Sequence, residues 1–118
     1  MMSTMATAKQ PSHEPVSMPT DLPAETGQLA DALLTMRDRG EMLRFLRDLC
    51  TLQELEALAH RWQIVQLLED GVPYLEISER VGASTTTVTR VAQWLRHGAG
   101  GYRTALDRLR RTARSTKK

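Results

Sequence analysis

The segment from Ser84 to Arg90 carries a run of hydroxyl groups followed by a guanidinium group. Hydroxyl groups can donate and accept hydrogen bonds at base edges and phosphates, and a threonine methyl can contact the methyl group of thymine. The candidate base contacts are Ser84, Thr85, Thr86, Thr87 and Thr89, with Arg90 one turn further along. The candidate phosphate contacts are Arg80, Arg96 and Arg103. These residue types predict nucleic-acid recognition.

Elsewhere the sequence offers few groups for catalysis or metal binding. His13, His60 and His97 lie far apart and lack the close spacing of metal ligands. The single cysteine, Cys50, follows an apolar helix face without a catalytic histidine pattern, so we interpret it as a packing residue. One cysteine excludes an intramolecular disulfide and favours a reducing compartment. We expect a cytoplasmic protein that is not an enzyme and needs no cofactor or metal.

The elements that position the hydroxyl groups have the spacing of a helix-turn-helix over about residues 74–95. Gly82 stands where a tight turn between helices needs a positive φ, and Ser84 is a favourable N-cap for the second helix. The second helix of such a motif enters the major groove with its N-terminal residues towards the bases. An ordinary helical hairpin is the alternative. The apolar positions that define the register are Ile77, Val81, Val88, Val91 and Leu95.

Charge is distributed unevenly, although the net charge of the 118 residues is only +2. Residues 21–70 carry five arginines and ten acidic residues, a net charge of −5. Residues 71–118 carry ten basic and three acidic residues, a net charge of +7. A basic half favours a polyanionic partner, here double-stranded DNA, although a solvated basic tail has the same composition. No run of 18 apolar residues is present, so we expect no membrane association.

Composition divides the chain into three regions. Residues 1–26 are rich in Met, Ser, Thr and Pro, and we predict a disordered arm. Residues 27–111 show helical periodicity and are predicted to form one all-α domain, followed by a basic tail over residues 112–118.

The domain is expected to begin with two helices separated at Gly40. Thr51 and Glu54 match a capping box that starts a long helix, which runs to about Glu69. A final helix follows the motif, beginning near Tyr102.

The long helix is apolar over more of its surface than one stripe. Its apolar residues are Leu52, Leu55, Leu58, Ala59, Trp62, Ile64, Val65, Leu67 and Leu68. Such a helix must bury apolar surface on more than one side. A chain of roughly 90 ordered residues has few other side chains with which to bury it. We predict a homodimer formed through the first three helices. A compact monomer is the alternative.

The segment from Met42 to Leu109 resembles the tryptophan-repressor superfamily, and within it the small YerC/YecD-like branch. The resemblance rests on "LEAL" and "RWQIV" in the long helix, "EISERVGAS" and "TVTRV" in the motif, and "GAGGYR" after it. It implies an intertwined helical dimer with two recognition helices roughly 34 Å apart. The function that the resemblance implies is a sequence-specific DNA-binding transcriptional regulator that acts as a repressor. The alternatives are a nonspecific nucleic-acid or nucleoid binder and a protein–protein adaptor.

The resemblance also implies a pocket for L-tryptophan between the long helix and the recognition helix. Thr51, Arg61 and Arg90 match residues of that pocket. Val91 replaces a small glycine and Trp94 replaces a serine that binds the ligand's amino group, which adds bulk and removes a hydroxyl. We therefore expect no response to free L-tryptophan, with Val91 and Trp94 filling the space. An exposed Trp94 that contacts DNA or a partner is the alternative.

Overall fold

The computed structural model describes residues 19–116, with side chains up to Ala113. This part of the chain contains six α-helices and no strand, which confirms the predicted all-α class. The helices are α1 (Thr26–Leu34), α2 (Arg39–Leu49), α3 (Leu52–Glu69), α4 (Tyr74–Val81), α5 (Thr85–His97) and α6 (Gly101–Thr116). Most of the predicted N-terminal arm lies outside the described residues. Helix α6 continues into the segment that was predicted to be a basic tail.

Helix α3 begins at the predicted capping box. The hydroxyl of Thr51 accepts a hydrogen bond from the backbone N–H of Glu54 at 3.0 Å. The Glu54 carboxylate in turn accepts one from the backbone N–H of Thr51 at 2.8 Å. Two of the N–H groups that a helix start leaves without partners are therefore satisfied locally.

The prediction of a break at Gly40 was wrong by a few residues. Helix α2 begins at Arg39, and Gly40 lies in its first turn. Asp38 is the N-cap, and its carboxylate accepts from the backbone N–H of Glu41 at 2.8 Å. The aspartate cap sets the start of α2 because its carboxylate satisfies a free backbone N–H group. A glycine in the first turn lowers the stability of a helix only slightly.

The core lies between the C-terminal half of α3, the two helices of the motif and α6. Helices α1 and α2 contribute no buried residue to it. The buried side chains are Ile64, Val65, Ile77, Val81, Val88, Val91, Ala92 and Leu106. The interior of the single chain is therefore small and surrounds the motif.

The N-terminal half of the domain exposes leucines instead. Leu43, Leu49 and Leu58 are 51%, 50% and 45% exposed. Two apolar depressions of about 350 and 360 Å³ lie on α1–α3, and Leu58 lines both. The predicted excess of apolar surface on these helices is therefore present in the single chain.

Helix α6 is attached to the end of α3 by Glu69. Its carboxylate accepts hydrogen bonds from Arg103 at 2.8 and 3.1 Å and from Arg110 at 2.7 Å. The hydrogen bonds from Arg103 and then Arg110 lower the pKa of Glu69 from 4.5 to about 2. We interpret these ion pairs as a clamp that holds the basic helix against the acidic end of α3.

Among the described residues, no helix is long and apolar enough to cross a membrane. The same residues contain no group of three His, Cys, Asp or Glu side chains that could hold a metal ion.

Candidate nucleic-acid interface

The turn between α4 and α5 has the predicted helix-turn-helix geometry. Gly82 adopts the left-handed conformation, with φ +79°, and its N–H bonds to the carbonyl of Ser78 at 2.9 Å. The N–H of Ala83 bonds to the same carbonyl at 3.2 Å. The hydroxyl of Ser78 donates to the carbonyl of Ala83, so this side chain closes the turn from the other direction. No pattern in the sequence predicted this bond.

The two helices of the motif pack on a buried apolar core. Ile77 and Val88, one from each helix, are fully buried, and Val81 and Val91 are 8% and 4% exposed. These four side chains pack in one cluster with α3 residues such as Val65. The angle between α4 and α5 is therefore set by close packing against a third helix.

The outer face of the first turns of α5 is accessible. Thr85, Thr86, Thr89 and Arg90 are exposed and together line a shallow depression of about 400 Å³. Within the described part of the chain, no side-chain hydrogen bond or ion pair engages these four residues. A helix start also leaves its first N–H groups free, here those of Thr85 and Thr86. Hydroxyl donors, amide donors and a cation are thus presented on one surface.

The other two hydroxyl candidates stabilise the helix start. The hydroxyl of Ser84 accepts from the backbone N–H of Thr87 at 3.1 Å and donates to the Thr87 hydroxyl at 3.1 Å. Thr87 is half-buried. These two residues therefore form the N-cap that orients the accessible ones.

The four candidate arginines differ in their partners. Arg80 pairs with Glu76 one turn earlier in α4, with its Nε at 3.2 Å. Arg96 donates to the phenol oxygen of Tyr74 at 3.0 Å, which links the end of α5 to the start of α4. Arg103 belongs to the Glu69 clamp. Arg90 has no such partner among the described residues.

The residues matched to an effector pocket do not form one site within a single chain. Arg61, Arg90 and Trp94 line three different depressions. Thr51 is occupied as the cap of α3, and Val91 lies in the core.

Trp94 takes the exposed alternative, with 58% of its surface accessible. Its indole lines an apolar depression of about 380 Å³ with Ala99, Gly100, Gly101 and Tyr102. The ring of Tyr102 also packs against Trp62, with centroids 6.2 Å apart. Trp62 is half-buried against the core, as expected for a packing residue.

The comparisons with known proteins agree with this geometry. The sequence profile of the family described as Trp repressor protein matches residues 24–110. The uncharacterized protein YerC of Bacillus subtilis (strain 168) is 40% identical over 88 residues, which is 75% of this chain and 85% of that protein.

Two solved structures share the fold. A TrpR-like protein from Eubacterium eligens is 36% identical, with a TM-score of 0.69 over 74% of this chain and 90% of that chain. A Trp repressor candidate from Staphylococcus aureus is 37% identical, with a TM-score of 0.70 over 75% of this chain and 89% of that chain. The matched family profile covers α1 to α5, the helix-turn-helix included, and most of α6, and the chain belongs to the Trp repressor protein family.

Proposed function

We propose that the protein is a sequence-specific DNA-binding transcriptional repressor that acts in the cytoplasm as a homodimer. The observation that carries the proposal is the accessible face of the first two turns of α5, whose opposite side packs in the buried core. This arrangement is what a recognition helix needs, because its contacts are useful only when their positions are fixed.

The residues divide into reading and positioning roles. Thr85, Thr86 and Thr89 face base edges in the major groove, where their hydroxyl and methyl groups discriminate bases. Arg90 and the free N–H groups of the first turn contact phosphates. Ser84 and Thr87 maintain the helix start.

The remaining arginines supply backbone contacts while keeping their internal partners. A guanidinium has five N–H donors, and Arg96 uses one of them on Tyr74. Arg80 likewise keeps donors beyond those directed to Glu76. Both side chains are therefore held in place by a neighbour and still able to bind a phosphate.

The homodimer is proposed from the exposed leucines of α1–α3. A second copy that covers both apolar depressions removes this surface from water, which is the dominant favourable term in association. Two-fold symmetry then places two α5 helices on one face, roughly 34 Å apart, for successive major grooves.

We favour a sequence-specific regulator over a binder that depends on general basic charge. Glu69 already neutralises part of the charge of Arg103 and Arg110, so α6 offers fewer free cations than its sequence suggests. An adaptor would use the exposed leucines and leave the α5 surface without a role.

The test is a mobility-shift titration on duplexes selected from random DNA. Thr86→Ala should weaken binding of the selected duplex by about tenfold, because one good base contact contributes roughly 1–3 kcal/mol. Thr104→Ala, an exposed threonine on α6, is the matched control and should bind like the unmodified chain.

The outcome separates the three functions. Equal affinity for selected and unrelated duplexes, with a steep salt dependence, would show a nonspecific binder. If no duplex is bound, the protein–protein adaptor is the remaining function.

We also propose that repression does not depend on L-tryptophan. Val91 follows Arg90 in α5 and is 4% exposed, so its side chain occupies interior space that a glycine at this position would leave open. The same titrations with excess L-tryptophan should give unchanged affinities, and a tryptophan-induced gain in affinity would contradict the proposal.

A further inference from the structure

The indole of Trp94 protrudes from α5, with 58% of its surface exposed. A Cβ atom at Gly98 would overlap the backbone oxygen of Trp94 and lie 2.7 Å from Cε3 of the indole ring, so this ring position requires a glycine there. Among the described contacts, none uses the indole N–H. A large aromatic side chain that is this exposed is typical of an interface anchor.

A complementary site lies on the N-terminal half of the domain. The depression of about 360 Å³ is lined by Leu29, Leu49, Cys50, Glu54, Ala57, Leu58 and Arg61. Its volume lies in the range of about 300–1,000 Å³ that is typical of small-molecule sites. The walls are apolar, which suits the faces of an aromatic ring.

Two polar groups at this depression suit an indole in particular. Arg61 is exposed and has no described hydrogen bond or ion pair, and a guanidinium stacks favourably on the face of a tryptophan ring. Glu54 uses one carboxylate oxygen on the backbone N–H of Thr51. Its other oxygen can accept the indole N–H.

The opposite charges of the two halves, which the ion pairs of Glu69 reduce but do not cancel, favour a second copy of this chain as the source of the indole. The depression belongs to residues 21–70, with a net charge of −5, and Trp94 to residues 71–118, with a net charge of +7. Trp94 and Arg61 line separate depressions in one chain. A second copy of this chain brings an oppositely charged half, and the indole with it, to the depression.

We propose that Trp94 of each protomer inserts into the Arg61 depression of the partner in a two-fold symmetric dimer. The inference rests on the proposed homodimer, and Trp94 is the side chain that completes the Arg61 depression. The depression is incomplete without the partner, and an indole supplied by the protein itself leaves no place there for free tryptophan.

A double-mutant cycle tests the contact by sedimentation equilibrium of the full chain. Trp94→Ala and Arg61→Ala should each raise the dimer dissociation constant, Trp94→Ala by at least about tenfold. The double variant should be little weaker than Trp94→Ala alone, because both changes remove the same contact. Leu75→Ala is the control, since Leu75 is 64% exposed and lines none of the depressions described.

Cross-linking tests the location. Cys50, the single cysteine of the chain, lines the proposed receiving depression. Trp94→Cys should therefore be joined to Cys50 of the second copy by a short bismaleimide, giving a covalent dimer on a denaturing gel. Leu75→Cys should give far less, and adding Cys50→Ser to Trp94→Cys should abolish the product.

The results separate this inference from the proposed function. Strictly additive effects in the cycle, or cross-linking of Trp94→Cys no faster than that of Leu75→Cys, would overturn the insertion of Trp94 even if the dimer and specific DNA binding persist. If the unmodified chain does not bind DNA, the proposed function is wrong. The double-mutant cycle and the cross-linking still test the dimer contact in that case.

Discussion

At the scale of single residues, Glu69 shows how a side chain acquires a structural role from its surroundings. Its position among the acidic residues of α3 suggests a solvated carboxylate. In the structure it accepts hydrogen bonds from Arg103 and Arg110, and its side chain is only 21% exposed. The low pKa of Glu69 follows from these two guanidinium partners, which favour the charged form.

Glu69→Gln should lower the free energy of unfolding at neutral pH by about 1 kcal/mol, as expected for a pair of partly exposed ion pairs. The folded-state pKa, about 2, lies below the value of 4.5 for a free carboxyl. The ion pairs therefore stabilise the fold above about pH 4.5, and this contribution decreases as the pH falls towards 2.

Urea titrations across this pH range check the prediction. The unmodified chain should lose stability on acidification, and Glu69→Gln should lose less. Asp107→Asn is the control, because Asp107 lies 3.6 Å from Arg103 and takes no part in the contact with α3. Equal acid sensitivity of Glu69→Gln and the unmodified chain would show that the clamp contributes nothing.

At the scale of elements, the helix-turn-helix depends on one backbone conformation and one buried surface. Gly82 supplies the positive φ, while Ser78 closes the turn through its hydroxyl. Ile77 and Val88 then anchor the two helices on α3. The proposed recognition surface on α5 is accessible because the opposite face of the helix contributes side chains to the core.

Gly82→Ala should destabilise the fold by about 1–2 kcal/mol through backbone strain alone. No atom lies within 4 Å of the position that a Cβ would take at Gly82, so steric overlap is not involved. Thermal unfolding followed by circular dichroism measures the effect. Gly27→Ala is the matched control, since it also adds a Cβ in open space but at a helical glycine without a positive φ.

The free energy of unfolding of Gly27→Ala should rise by up to about 1 kcal/mol, because alanine reduces the entropy of the unfolded chain. A Gly82→Ala variant as stable as Gly27→Ala would contradict the strain argument.

At the scale of the whole molecule, the chain has two unlike halves. The basic half contains the motif and most of the core, whereas the acidic half adds Ile64 and Val65 to the core and places leucines on its surface. The core of a single chain is thus confined to one end. A second copy with the opposite orientation would match both the charge and the uncovered apolar surface.

Leu58→Glu should convert the proposed dimer into a monomer at micromolar concentrations, because Leu58 lines both apolar depressions and burial of an unpaired carboxylate is unfavourable. Sedimentation velocity measures the change, and circular dichroism reports whether the helices persist. Leu75→Glu, with the same substitution at an exposed leucine of α4, should keep the mass of the unmodified chain. An unmodified chain that sediments as a monomer, or a dimeric Leu58→Glu, would contradict the proposed interface.

Local features could be predicted from the sequence alone: the helical class, the capping box at Thr51, the turn at Gly82 and the buried register of the motif. Each depends on residues only a few positions apart, so periodicity and cap chemistry suffice to predict it. The pairing of Glu69 with residues 34 and 41 positions away, and of Arg96 with Tyr74, was decided by helix packing. The outward position of Trp94 likewise followed from helix packing, because Val88, Val91 and Ala92 form the buried side of α5 and leave Trp94 58% exposed.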